Sequence, residues 1–211
     1  IMEVLSPTRI KCKFMQDMSE GMEWGRPDET IGFIEHKTMR TVATGKINKF
    51  ETLNKAEFII ELSAPLPAGV VAGYVIENLT CTPDAEIRNC HFGSCRARGL
   101  LVSTPGKVII ENNVFESSGS AILIAGDANA WYESGAVKDV LIRNNDFRYP
   151  CNSSLYQFCE AVISIDPEIP TPEQKYPYHR NIRIVDNTFH LFDYPILFAR
   201  SVDELTFSSN T

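Results

Sequence analysis

A short motif returns along the second half of this chain and limits what the chain can fold into. It reads Ile87-Arg-Asn-Cys-His-Phe92, Ile110-Glu-Asn-Asn-Val-Phe115, Ile142-Arg-Asn-Asn-Asp-Phe147 and Ile184-Val-Asp-Asn-Thr-Phe189. A fifth copy begins at Phe207-Ser-Ser-Asn-Thr211. An apolar residue stands two positions ahead of each copy: Ala85, Val108, Val140, Ile182 and Leu205. A second apolar run follows each Phe, at Gly99-Leu-Leu-Val102, Ala121-Ile-Leu-Ile124, Ala161-Val-Ile-Ser164 and Pro195-Ile-Leu-Phe198. Each unit therefore holds two strand-like runs around an Asn-bearing turn.

The spacing selects the architecture. Phe92 to Phe115 is 23 residues, Phe115 to Phe147 is 32 and Phe147 to Phe189 is 42. A base period of about 23 residues with insertions is too short for paired helices, and it lacks the leucine-rich pattern. Helical periodicity is nearly absent. The expected fold is all-β: a right-handed parallel β-helix over 76–211, with equivalent residues stacked about 4.8 Å apart. Asn113, Asn145, Asn187 and Asn210 should form a ladder at one corner and accept left-handed geometry there. Phe92, Phe115, Phe147 and Phe189 should stack inside.

Residues 1–75 differ in texture. Ile31–Ile34, Thr41–Ala43, Lys46–Phe50 and Glu57–Leu62 alternate apolar and polar residues, as antiparallel strands of a small barrel or sandwich do. Pro65 and Pro67 break that pattern. The opening residues carry no leader pattern, and the last ones fall inside a repeat. The chain is therefore expected to be a piece of a longer protein.

Composition excludes several classes. The formal net charge is -7, with 20 basic and 27 acidic residues, which argues against a nucleic-acid partner. The acidity weighs lightly against a polyanionic substrate. No apolar run reaches the roughly 20 residues that span a bilayer. No Cys or His spacing suggests a metal site, and no cofactor motif is present. Cys151 and Cys159 flank one loop and suit either a bridge across it or burial as free thiols.

Insertions in a solenoid leave from one face and build its binding site. Here they are 126–135, 150–158 and 167–178. Counting from Ala121 and Ala161 sets Asp127 and Asp166 at the end of the second run in adjacent coils, with Arg200 following. Arg98, Ser120, Glu160 and Tyr194 precede that run. Carboxylates beside Trp131 and Tyr132 suit a sugar site, because hydrolysis of a glycosidic bond uses two carboxyl groups. Each residue also has a plain structural use: Asp127 and Asp166 as corner formers, Glu160 as an exposed strand residue, Glu133 as a turn cap and Trp131 as a lid. Arg88, Glu111 and Arg143 are expected to be solvated pairs on an outward face.

The segments Arg98–Asn113, Ser118-Gly-Ser-Ala-Ile-Leu-Ile-Ala-Gly-Asp127 and Trp131-Tyr-Glu-Ser-Gly135 resemble family-110 glycoside hydrolases, the α-1,3-galactosidases of gut and marine bacteria. The resemblance covers residues 77–211 well and 1–75 loosely, where the family carries a small β-barrel. It implies an inverting exo-acting glycosidase that removes terminal α-1,3-linked galactose with acidic residues and no metal. Asp127 is carried over from that motif, with Trp131 and Glu133 as companions. Asp166 and Glu160 are further catalytic candidates chosen by position, with Asp127 and Asp166 expected near the water-activating side and Glu160 as a candidate acid, and Tyr132, Arg98, Arg200 and Tyr194 are candidate sugar-binding residues. The expected partner is a carbohydrate, and the whole protein is expected to be secreted, periplasmic or at the cell surface. The isolated piece is expected to lack activity if part of its site lies elsewhere. Two rivals share the fold: another carbohydrate-active β-helix, either a polysaccharide lyase in which Arg98 or Arg200 would serve as base or a polygalacturonase-like enzyme, and a non-catalytic glycan-binding β-helix.

Overall fold

The computed structural model describes residues 1–14, 24–129, 133, 135–153, 159–192 and 194–211. Among them every regular element is a strand. The chain divides into two compact units, Ile1–Thr82 and Pro83–Thr211.

The first unit is one antiparallel sheet of six strands, ordered β1-β2-β5-β4-β3-β6. These are β1 (Glu3–Ser6), β2 (Arg9–Lys13), β3 (Thr30–Glu35), β4 (Arg40–Thr52), β5 (Glu57–Leu62) and β6 (Val75–Asn78). Alternation sets its inward face, most plainly in β5, where Phe58, Ile60 and Leu62 are buried and the residues between them are half-buried. The two runs expected at Thr41–Ala43 and Lys46–Phe50 are a single strand. Gly45 is no turn: a Cβ there would sit 3.1 Å from the Phe33 ring, so its missing side chain leaves room for that ring inside a continuous ladder. The unit also extends beyond residue 75, because β6 pairs with β3 from Val75 through Asn78.

In the second unit the chain visits three parallel sheets in the same order on every pass. The first contains β7 (Ala85–Arg88), β10 (Lys107–Glu111), β13 (Asp139–Arg143), β16 (His179–Val185) and β19 (Val202–Ser208). The second contains β8 (His91–Gly93), β11 (Val114–Glu116), β14 (Asp146–Arg148) and β17 (Thr188–His190). The third contains β9 (Arg98–Val102), β12 (Ser120–Ile124), β15 (Ile163–Ile165) and β18 (Leu197–Ala199). The register follows the sequence repeat. Ala85, Val108, Val140, Ile182 and Leu205 are in line, and so are Ile87, Ile110, Ile142, Ile184 and Phe207.

The repeated Phe residues stack with centroids 4.9, 5.0 and 4.7 Å apart and planes within 10° of parallel. This is the strand spacing, imposed on the rings by the backbone. The ladder beside them is hydrogen-bonded at each step. Nδ2 of Asn113 donates to Oδ1 of Asn145, Asn145 to Asn187 and Asn187 to Asn210, each at 3.0 Å. The backbone N–H of each of these three residues donates to the same oxygen, also at 3.0 Å. The left-handed residue is the one before the ladder position: Asn89, Asn112, Asn144, Asp186 and Ser209, with φ between 54° and 56°. The turn and the ladder thus fall to different neighbours. One residue absorbs the left-handed backbone, which Asn tolerates, and the next turns its amide inward.

The outward charges differ from the expected solvated pairs at one place. Glu111 is buried between Arg88, 3.0 Å away, and Arg143, whose Nε donates to its carboxylate. All six cysteines are free thiols. Burial pushes Cys151 up to about 12 and Cys12 to about 11, which keeps both as unreactive thiols.

Candidate active site

The third sheet carries the candidate residues at its two ends, and it separates them. At the entry end, Arg98 opens β9 in register with Ser120, which opens β12. Ser120 is buried, and its one hydroxyl proton is shared between the carbonyls of Ala161 at 2.9 Å and Val162 at 3.0 Å, so it closes the corner between passes. Glu160 is exposed and Tyr194 half-buried, both just ahead of their strands. Asp127, Glu133, Asp166 and Arg200 are all at the exit end. Five strand intervals from Ser120 to Ala125 measure roughly 16 Å. Glu160, the expected acid, therefore does not join the carboxylates at the far end. Trp131 and Tyr132 lie outside the described residues.

Register corrects the expected equivalence of Asp127 and Asp166. Ile122 pairs with Ile163 and Ile124 with Ile165, so Asp166 is level with Ala125. Its N–H donates to the Ile124 carbonyl at 2.9 Å. Asp127 is two positions further on, bridged in parallel to Glu168 and in antiparallel fashion to Glu133. The slip arises at the alanines. The Ile122–Ile163 pairing carried back one residue sets Ala121 level with Val162, not Ala161.

The local chemistry of the two aspartates differs. Asp166 is half-buried and accepts both Nε and Nη2 of Arg200 on Oδ1, at 2.7 and 2.5 Å. Asp127 is buried, and its Oδ1 accepts the N–H of Asn129 at 2.8 Å, an Asx turn that fixes the corner. Two backbone hydrogen bonds lock the bridge to the next pass: Ala128 N–H to Glu168 O and Glu168 N–H to Gly126 O, both 2.9 Å. Gly126 allows the Tyr178 hydroxyl to come close, since a Cβ would stand 2.8 Å from that oxygen.

Two features here are not marked by the sequence pattern. Glu168 follows Asp166-Pro167 and reads as a loop acid, yet aligning isoleucines rather than alanines brings it level with Asp127. His179 showed no motif, and it is fully buried. Its Nδ1 accepts the Val137 N–H at 3.1 Å, which puts the proton of the neutral ring on Nε2. Desolvation lowers its pKa to about 3.

The unfolded chain therefore binds a proton below about pH 6.5 that the folded one refuses. The contribution of neutral His179 to stability is complete above that pH and is lost as pH drops toward 3, by on the order of 1 kcal/mol per pH unit. Denaturant titrations at pH 7 and pH 5 should show the loss. His179→Asn keeps an acceptor for Val137 and should flatten this slope; an unchanged slope would remove His179 as its origin.

Among the described residues no group of His, Cys, Asp and Glu is placed to hold a metal ion. No helix among them is long and apolar enough to cross a membrane.

Three parallel sheets built on a repeat, with acids where the insertions leave, define an all-β repeat chain joined to an antiparallel module. Comparison with known proteins places it more closely. Residues 9–76 match the GLAA-B β-barrel domain II family. The whole chain is 96% identical to α-1,3-galactosidase B of Bacteroides thetaiotaomicron and covers 34% of it. It is 44% identical to α-1,3-galactosidase B of Akkermansia muciniphila, covering 27% of that protein. Against α-1,3-galactosidase A of Bacteroides fragilis the figures are 39% and 35%. The chain thus spans about a third of the length of these bacterial relatives.

Proposed function

We propose that the protein to which this chain belongs is a glycoside hydrolase that removes terminal α-1,3-linked galactose with inversion, and that the three parallel sheets are the faces of a right-handed parallel β-helix. The observation that carries this is identity along both units to proteins named α-1,3-galactosidase. The exit end of the third sheet supports it with a fixed carboxylate, Asp127. A general acid at that position protonates the departing glycosidic oxygen while a second carboxylate on the other face of the ring activates water.

Asp166 with Arg200, and Glu133 on the other side of Asp127, offer charged and hydrogen-bonding groups for galactose hydroxyls. Trp131 and Tyr132, in the matching motif, supply the aromatic face. Arg98, Glu160 and Tyr194 at the entry end serve more distant parts of a glycan. Such a substrate fits a secreted, periplasmic or cell-surface enzyme.

The test is a parallel incubation of the full-length protein with Galα1,3Gal and with a uronate polymer. Free galactose from the first and no change in the second is the expected result. An unsaturated uronate absorbing in the ultraviolet would establish a lyase instead. Binding of the galactoside without turnover would establish a glycan-binding solenoid.

A further inference from the structure

We propose that Glu168 is the general base that works opposite Asp127. This rests on the glycosidase reading above and names a residue that the sequence motif does not contain. Three observations carry it.

Glu168 is the acid on the next pass that stands level with Asp127. The isolated bridge and its two 2.9 Å backbone hydrogen bonds set the pair side by side on neighbouring passes, at the strand spacing of about 4.8 Å. Directly paired residues project to the same face. From that spacing two side chains that splay modestly reach the roughly 6.5–9.5 Å that inversion requires, with room for a water between sugar and base. Glu168 is also exposed, while Asp127 is buried, so solvent water reaches the glutamate. The other candidates are worse placed. Asp166 has one oxygen already occupied by both nitrogens of Arg200, and Glu160 is at the opposite end of the sheet.

In the step itself Glu168 takes a proton from water as the water oxygen bonds to the anomeric carbon. The bond from that carbon to the glycosidic oxygen breaks, and the proton of Asp127 passes to the departing oxygen. Solvent then returns Asp127 and Glu168 to their starting forms. Water is the only co-reactant.

The experiment compares Glu168→Gln, Asp166→Asn and the parent in the full-length protein, with and without azide. Glu168→Gln should lower kcat by about 10²–10⁴-fold with little change in KM. Azide, which needs no deprotonation, should restore turnover and give β-galactosyl azide. Melting temperature should stay near that of the parent, because the side chain is exposed. If the parent releases galactose and Glu168→Gln keeps its kcat, the assignment of Glu168 fails while the glycosidase reading stands. Azide rescue confined to Asp166→Asn would move the base there. A parent that releases no galactose overturns both.

Discussion

Asn145→Ala should destabilise the second unit by about 3–5 kcal/mol, with lower-denaturant unfolding by circular dichroism as the readout. Asn145 is buried, and its amide joins three passes of the chain. Its oxygen accepts from both the backbone and the side chain of Asn113. Its nitrogen donates to the Ile110 carbonyl at 2.9 Å and to Asn187. Alanine leaves at least one N–H and one C=O without partners in a place water does not reach, at about 1–3 kcal/mol each, and adds a small cavity. The neighbour gives the contrast. Asn144 has φ 54°, and its work is conformational. Asn144→Gly should therefore be close to neutral, whereas Asn144→Ala should cost about 1–2 kcal/mol. Equal effects at the two positions would dismiss the division between turn and ladder.

Asp127→Asn in the full-length protein should lower kcat on Galα1,3Gal by about 10²–10⁴-fold, the range a positioned general acid supplies. Asn preserves the shape of the side chain and an oxygen for the Asn129 N–H, so the corner should survive. A leaving group that needs no protonation separates the roles. An activated aryl galactoside should recover much of its rate with Asp127→Asn if Asp127 is the acid, and none if the residue only shapes the corner. Retention of full activity on the disaccharide would remove Asp127 from the chemistry.

The repeat was readable because a stacked sheet writes the same residue at each level. The lines from Ala85 to Leu205 and from Ile87 to Phe207 are visible as a pattern before any coordinates. Other features depend on information the pattern lacks. The left-handed corner belongs to the residue before the ladder Asn, and Asn occupies both places in two copies, Asn112-Asn113 and Asn144-Asn145, so composition could not divide their roles. β4 runs through Gly45, whose missing Cβ leaves room for the Phe33 ring of another strand, and local turn chemistry does not record that contact. At the candidate site the apparent anchor of the repeat is out of register. Alanines at 121 and 161 look equivalent but are one level apart, which moved Asp127 away from Glu168 and toward Asp166. Burial of Glu111 between two arginines likewise follows from register, since Arg88, Glu111 and Arg143 are in line across three strands.

The most direct test of the account is the anomer of galactose first released by the full-length protein, followed by proton NMR before mutarotation equilibrates it. Two carboxylates on either side of the ring, one acting through water, predict β-galactose as the first product from Galα1,3Gal. First release of α-galactose would require a nucleophilic carboxylate in direct contact with the anomeric carbon, and it would contradict the pairing of Asp127 with a water-activating Glu168.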